Sequence, residues 1–358
     1  MNNIQEAIFE IAKYGLGKST ECRIATPVDG KILFELVQKQ GITAIILDGI
    51  NKCFEKGIKI DIDFRTKMEW IGLTQQIEQR YRQYEKNIKK LGAFYREYGI
   101  RMMVLKGYGL AQNYSIPSHR PCGDVDIYLF GDQEKADKLL QEKLGITIDN
   151  SHHHHTVFRF KDETVENHYD FLNVYVRPSN KRIEKKLKEL ANLDVNDNPD
   201  DNIIFPSVEF NAIYLLRHCA SHFASTEMTV RQIMDWGFFM VNHHQEINWD
   251  EYIPYIKQEG MYRFYNLLGL FCMKYLGFDA SIFHGLFEDD LFERFSNEIM
   301  NPEFKDHENG KLLHSLSVKP RRWWHNRWKN RLCYPDNPWE EFIYGLWAKV
   351  LKPSHFIQ

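Results

Sequence analysis

Long apolar runs are missing from this sequence. No stretch reaches the roughly 18 apolar residues of a membrane-spanning helix, so no membrane span is expected. The opening segment, MNNIQEAIFEIAKYG, has no cationic leader ahead of an apolar block; it predicts an amphipathic helix, not a secretory signal. Cysteine is sparse: Cys22, Cys53, Cys122, Cys219, Cys272 and Cys333 are scattered, with no CxxC pair. That spacing excludes a zinc ribbon or finger and predicts reduced thiols in a cytoplasm. Charge of one sign is also lacking. Lys+Arg is 46 and Asp+Glu is 49, a net charge of -3, which excludes a wholesale basic nucleic-acid binder but not a local basic patch. No internal repeat of about 20–50 residues is visible, so a solenoid is excluded. What is present is globular: 43% hydrophobic, 27% charged, and an aromatic share of 14% that argues against extensive disorder. At about 100–200 residues per domain, 358 residues suit two or three domains.

The patterning divides the chain. Residues 1–98 read as an N-terminal helical region, closing with a long run from Phe64 to Tyr98 that meets a plausible C-cap at Gly99. From Ile100 the pattern changes. IRMMVLKG predicts a buried strand ending in glycine, YGLAQNY a short helix, and SIPSHRPCG a loop. DVDIYLF alternates and predicts a strand. A helix follows, opened by Asp132 and closed by Gly145. HHHHTVFRFKDETVENHYDFLNVYV predicts two strands joined near Lys161–Glu163. Residues 99–178 are therefore the expected catalytic core, and 179–358 a C-terminal helical domain, with the acidic, turn-rich stretch 192–202 as the best boundary.

The chemistry concentrates in Leu105-Lys106-Gly107 and in Arg120-Pro121-Cys122-Gly123-Asp124-Val125-Asp126. Side chains alternate along a strand, so Asp124 and Asp126 point the same way. Two adjacent carboxylates repel and are costly to bury, and a divalent cation resolves this. Glu166 on the next hairpin is the expected third carboxylate, with Asp170 as the alternate; Glu166, His168 and Asp170 share a face by the same alternation. Lys106 and Gly107, between a strand and a helix, suit an anion approaching backbone N–H groups. Arg120 pairs with a phosphate or holds the loop.

On these residues the chain resembles an uncharacterised bacterial nucleotidyltransferase family with an LKG…R…GDxD pattern, within the superfamily whose catalytic domain is like that of DNA polymerase β. The matching residues are Leu105, Lys106, Gly107, Tyr114, Pro117, Arg120, Gly123, Asp124 and Asp126, then Glu166 and His168, then His218, Arg231 and Asp235. The resemblance spans roughly residues 30–260, with its specific part at 104–170. It implies an α+β fold, a small polymerase β-like core with a mixed sheet, flanked by helical regions. It implies transfer of a nucleoside monophosphate from an NTP to an acceptor hydroxyl, with release of pyrophosphate. The acceptor, whether small molecule, protein or RNA, is not encoded by any motif, and neither is the oligomeric state. Asp124, Asp126 and Glu166 would hold two Mg²⁺ ions, with Mn²⁺ as the substitute. Lys106, Gly107, Arg120 and Gly123 would bind the nucleotide phosphates. His168, Asp170, His218, Arg231 and Asp235 would contact substrate. Two departures motivate an alternative, a catalytically inactive nucleotide-binding or partner-binding protein: Lys106-Gly107 replaces the superfamily's usual Gly-Ser, and the gap from Gly107 to Asp124 is longer.

Other patterns have plainer explanations. Gly107-x-Gly109 follows a strand, but Gln112 stands where a dinucleotide fold needs its third glycine. In His152–His155, alternation sends His153 and His155 to one face and His152 and His154 to the other, so the four do not converge on one ion; a polar strand edge near the cleft is expected. His218 and His222 have a zinc-pair spacing but lack the glutamate after the first histidine, and a packed helix face is expected. Residues 319–331 hold six basic residues and three tryptophans with no acid. They suit RNA or an anionic membrane surface, although tryptophans docked on the body are the plainer expectation.

Overall fold

The computed structural model describes residues 2–24, 28–152, 154–175, 177–197, 202–225, 228–303, 321 and 324–337. The fold is α+β: a mixed six-stranded sheet flanked by helices.

Four helices come first: α1 (Asn3–Gly15), α2 (Gly30–Lys39), α3 (Thr43–Glu55) and α4 (Phe64–Glu97). A capping box starts α1: the Asn2 side chain accepts from the Gln5 N–H, and the Gln5 side chain accepts from the Asn2 N–H. Asp63 caps α4 through the Thr66 N–H, and Gly99 at φ 67° follows its end. With 34 residues, α4 is about 50 Å long. Its first half belongs to the helical body, where Trp70 stacks near Phe34 at 4.9 Å and donates to the Thr43 carbonyl. Its second half lays Tyr84, Ile88, Leu91 and Tyr95 against one face of the sheet.

The sheet and its helices follow: β1 (Met102–Leu105), α5 (Gly107–Ala111), β2 (Val125–Tyr128), α6 (Gln133–Leu144), β3 (Ile148–Asp149), β4 (His155–Phe160), β5 (Glu163–His168), α7 (Pro178–Asp197) and β6 (Ile203–Ile204). The strand order is β3-β4-β5-β2-β1-β6. β1 and β2 are antiparallel, β2 and β5 parallel, β4 and β5 an antiparallel hairpin, and β6 runs parallel to β1. Alternation assigns the faces. Met102, Val104, Val125 and Ile127 join the core beneath α4 and α6, whereas Met103, Leu105 and Tyr128 join the large core shared with the N-terminal and C-terminal helices. Asp126 lies between Val125 and Ile127, so its carboxylate faces the C-terminal helices. Those helices are α8 (Val208–Ser225), α9 (Val230–His243), α10 (Trp249–Gln258), α11 (Tyr262–Leu276), α12 (Phe292–Met300) and α13 (Arg327–Cys333).

The strands expected at Ile100–Gly107 and Asp124–Phe130, and the expected hairpin, are β1, β2, β4 and β5. Two differences stand out. The stretch 192–202 is helical through Asp197, because Val195 packs on the main core and buried Asp194 accepts the Ser207 N–H at 2.9 Å. Past it, β6 adds an edge strand to the sheet, pairing Ile203 with Met102. β3 and β6, of two residues each, are too short to leave a periodic signal.

The basic, tryptophan-rich segment is described only at Arg321 and from Trp324 onward. There Trp328 packs edge-on against Phe223 under the Arg294 guanidinium, and buried Lys329 pairs with Glu298 at 2.5 Å. Trp324 is exposed, with Arg327 over its ring. No helix among the described residues is long and apolar enough to cross a membrane.

Candidate active site

A cleft of about 640 Å³ lies between the carboxyl-bearing strands and helices α8 and α9. Its floor is the turn from β1 into α5. Lys106 sits there at φ 47°, a conformation that side chains rarely adopt, and Gly107 follows at φ 23°. Such strain, about 1–3 kcal/mol, persists only where surroundings enforce it. Two contacts enforce it here. The Lys106 ammonium pairs with Asp126 Oδ1 at 2.7 Å, and its charge also acts on the buried Tyr214 hydroxyl. Gly107 leaves room for the Tyr84 hydroxyl, which would stand 2.3 Å from a Cβ at that position. Tyr84 in turn donates to the Asp124 carbonyl at 3.0 Å, tying the turn to the start of β2. α5 is a single turn of five residues.

The strand register brings the acids together. Asp126 on β2 lies beside Glu166 on the parallel strand β5. Asp124, one residue before β2, is open to solvent on one side and partly covered by the cleft that it lines, as alternation requires. Its carboxyl is pushed up by burial and by repulsion from Glu166 and Asp126. Asp126 behaves oppositely. Burial would raise it, but Lys106 and His168 outweigh that and hold it well below the usual carboxylate range. His168 Nε2 lies 3.0 Å from Asp126 Oδ1 and 3.4 Å from Glu166 Oε2. Those hydrogen bonds raise the His168 imidazole despite burial, and the His168 contact lowers Glu166. Asp126, Glu166 and His168 offer ligand atoms within 4.8 Å of one another.

The other expected residues divide. Asp170 leaves the group: β5 ends at His168, and Asp170 pairs with Lys188 at 2.5 Å instead. Arg120 lines the cleft, but its buried guanidinium grips Asp235 with Nε and Nη2 at 2.7 and 2.9 Å. Of the two roles open to it, the geometry is that of a loop clamp. Asp235 also accepts from Tyr114 at 2.6 Å and from Arg231, its i,i+4 neighbour, at 3.3 Å. Gly123 lines the cleft with open space where a side chain would be. His218 and His222 face each other on α8 with ring centroids 4.5 Å apart. Burial depresses both, His218 strongly and His222 down to about 4, with Lys106 the next influence.

Several cleft residues escaped the motif. Tyr214 stands one turn before the matched His218 and continues it and His222 into an i, i+4, i+8 stripe along α8. Arg177 and Arg217 each lie over the Tyr334 ring, at 3.6 and 4.3 Å, and all three line the cleft. The histidine run corrects its expectation. His154 and His155 converge with His168, their ligand atoms within 4.8 Å of one another. Strict alternation fails because β4 begins only at His155, so His154 lies in the preceding turn. Burial pushes His154 down to about 3 and His155 down to about 4, with neighbouring charges contributing. His153 lies outside the described residues.

A lysine-bearing turn thus meets a strand with paired aspartates, beside a glutamate on the adjoining parallel strand. The family described as uncharacterised nucleotidyltransferase matches the chain over residues 26–277, and the chain belongs to it. Membership supports nucleotidyl transfer as the general function and an NTP as substrate. Comparison with curated proteins and with solved structures finds no match.

Proposed function

We propose that this protein moves a nucleoside monophosphate from an NTP to an acceptor hydroxyl on a polymerase β-like core, in a reaction that depends on a divalent metal. The observation that carries this reading is the convergence of Asp124, Asp126 and Glu166 at one cleft, with the Asp124 carboxyl raised by partial burial there and then by Glu166 and Asp126. The three carboxylates offer only oxygen donors, with Lys106 and His168 already beside Asp126, and such a donor set fits Mg²⁺, with Mn²⁺ as the substitute. Asp124, Asp126 and Glu166 would hold the metal, two ions in the full complement, which when bound neutralises charge on the triphosphate.

The chain's own residues do the rest. Lys106 sits beside Asp126 and adds positive charge where the phosphates meet the carboxylates. The acceptor oxygen attacks the α-phosphorus, the bond to the β-phosphate oxygen breaks, and pyrophosphate leaves. Glu166, partly exposed and held ionised by His168, orients the acceptor hydroxyl and takes its proton. Arg231 and His218 line the cleft as substrate contacts, while Arg120 acts through Asp235 as a positioning residue. Six free thiols suit the cytoplasm. One observation favours the inactive alternative: Lys106 is already paired with Asp126. A nucleotide-binding protein would then bind NTP and turn nothing over across a broad acceptor screen.

Calorimetry tests the metal assignment. Wild type should bind NTP only with Mg²⁺ present, and the Asp124→Ala/Asp126→Ala protein should not. Equal binding in both proteins, or none in either, overturns it.

A further inference from the structure

We propose that His154, His155 and His168 form a binding site for a borderline divalent cation of the zinc class, separate in chemistry from the carboxylate group. Three observations carry this. The three imidazoles bring ligand atoms within 4.8 Å of one another. A Zn²⁺ ion bound by nitrogen at about 2.0–2.1 Å needs its ligands some 3.4 Å apart, which small side-chain rotations supply. The Nδ1 atoms of His154 and His155 are both buried and have no hydrogen-bond partner among the described residues. Buried polar atoms are rarely left orphaned, and two side by side point to something that binds them. Finally, His168 Nδ1 faces the Asp170 carbonyl at 3.3 Å. An N–H donated to a backbone carbonyl fixes the ring and leaves Nε2 for a metal, the usual outer-shell arrangement of a ligating histidine.

The donor set selects the ion. Imidazole suits Zn²⁺, Co²⁺ and Ni²⁺, whereas Mg²⁺ prefers oxygen. His168 is the point of contact between the two groups, because it also bonds Asp126 and Glu166. His154 and His168 both line the cleft, so the histidine-bound ion borders it. This inference stands whether or not the protein transfers nucleotides.

The probe is Co²⁺ alone, added to the whole chain in excess Mg²⁺ and read by visible absorption, with Zn²⁺ calorimetry beside it. The expected result is one equivalent bound, with the intense bands of four-coordinate, nitrogen-ligated Co²⁺. His154→Gln and His155→Gln should each weaken binding by about tenfold or more. Asp124→Asn, which touches only the oxygen group, should leave Zn²⁺ affinity within about threefold. No binding overturns the proposal. So do the weak bands of six-coordinate, oxygen-bound Co²⁺, or binding that Asp124→Asn abolishes and the histidine variants do not. The wild-type spectrum decides the ligand type even if a histidine variant fails to fold.

Discussion

Arg120 and Asp235, 115 residues apart, meet as a two-pronged buried ion pair that fastens the loop before β2 to helix α9. Both side chains are at least nine-tenths buried. The pair crosses the cleft wall, so it sets the distance between the carboxylate strands and the helical side of the site.

Removing one partner leaves a buried charge uncompensated, which costs about 3–5 kcal/mol. Asp235→Ala is therefore expected to lower the urea midpoint by that equivalent. Arg120→Lys, which keeps the charge but not the fork, should also destabilise, by less. An Asp235→Ala loss below about 1 kcal/mol in urea unfolding would show that Arg231 and solvent carry the load instead.

Gly107 and Tyr84 make the second test. A methyl at 107 would meet the Tyr84 hydroxyl at 2.3 Å and its ring carbon at 3.3 Å. Gly107→Ala should destabilise by about 1–3 kcal/mol and disturb the turn holding Lys106. Tyr84→Phe in that background removes the nearer atom, so the double variant should regain part of the loss. Strict additivity of the two single variants in denaturant unfolding would contradict the close approach.

His119 supplies a pH dependence. Its Nδ1 lies 2.7 Å from Asp48 on α3 and its Nε2 3.0 Å from Glu78 on α4. The hydrogen bond to Asp48 leads in raising its pKa, against burial. A raised folded-state pKa favours the protonated ring. The stabilisation is thus fully present below the ordinary value of about 6.5 and is lost as pH rises through the raised value. Wild type should lose stability relative to His119→Gln as pH rises from about 6.5 through the raised value. Parallel thermal midpoints for the two proteins across that window would refute the bridge.

Two helical glycines should respond in opposite directions. At Gly49, where α3 crosses α1, a Cβ would stand 2.5 Å from the Ile11 carbonyl oxygen, so Gly49→Ala should cost about 1–3 kcal/mol or more. At Gly72, inside α4, a Cβ meets nothing within 4 Å, and Gly72→Ala should stabilise by about 0.5–1 kcal/mol. Thermal unfolding of both variants checks the pair, and a shared sign would contradict this packing.

Much of the site was legible because its chemistry is local. Period-two alternation aligns Asp124 with Asp126 and Glu166 with His168 without knowledge of the fold. The helices announced themselves through apolar spacing and caps such as Gly99 and Gly145. Tertiary structure decided what depends on register between distant segments. Asp126 stands beside Glu166 only because β2 and β5 pair in parallel at that register. Asp170 departs because the strand ends two residues before it, and Lys188 from α7 captures its charge. Arg120 could have met a phosphate or a side chain, and the partner that claims it, Asp235, comes from a helix whose position no local pattern encodes. His154 and His155 converge on His168 because the strand begins at His155, three residues later than alternation from His152 assumes. Local stereochemistry thus set which groups could act together along each segment. Packing of the C-terminal helices against the sheet decided which of them share one cleft.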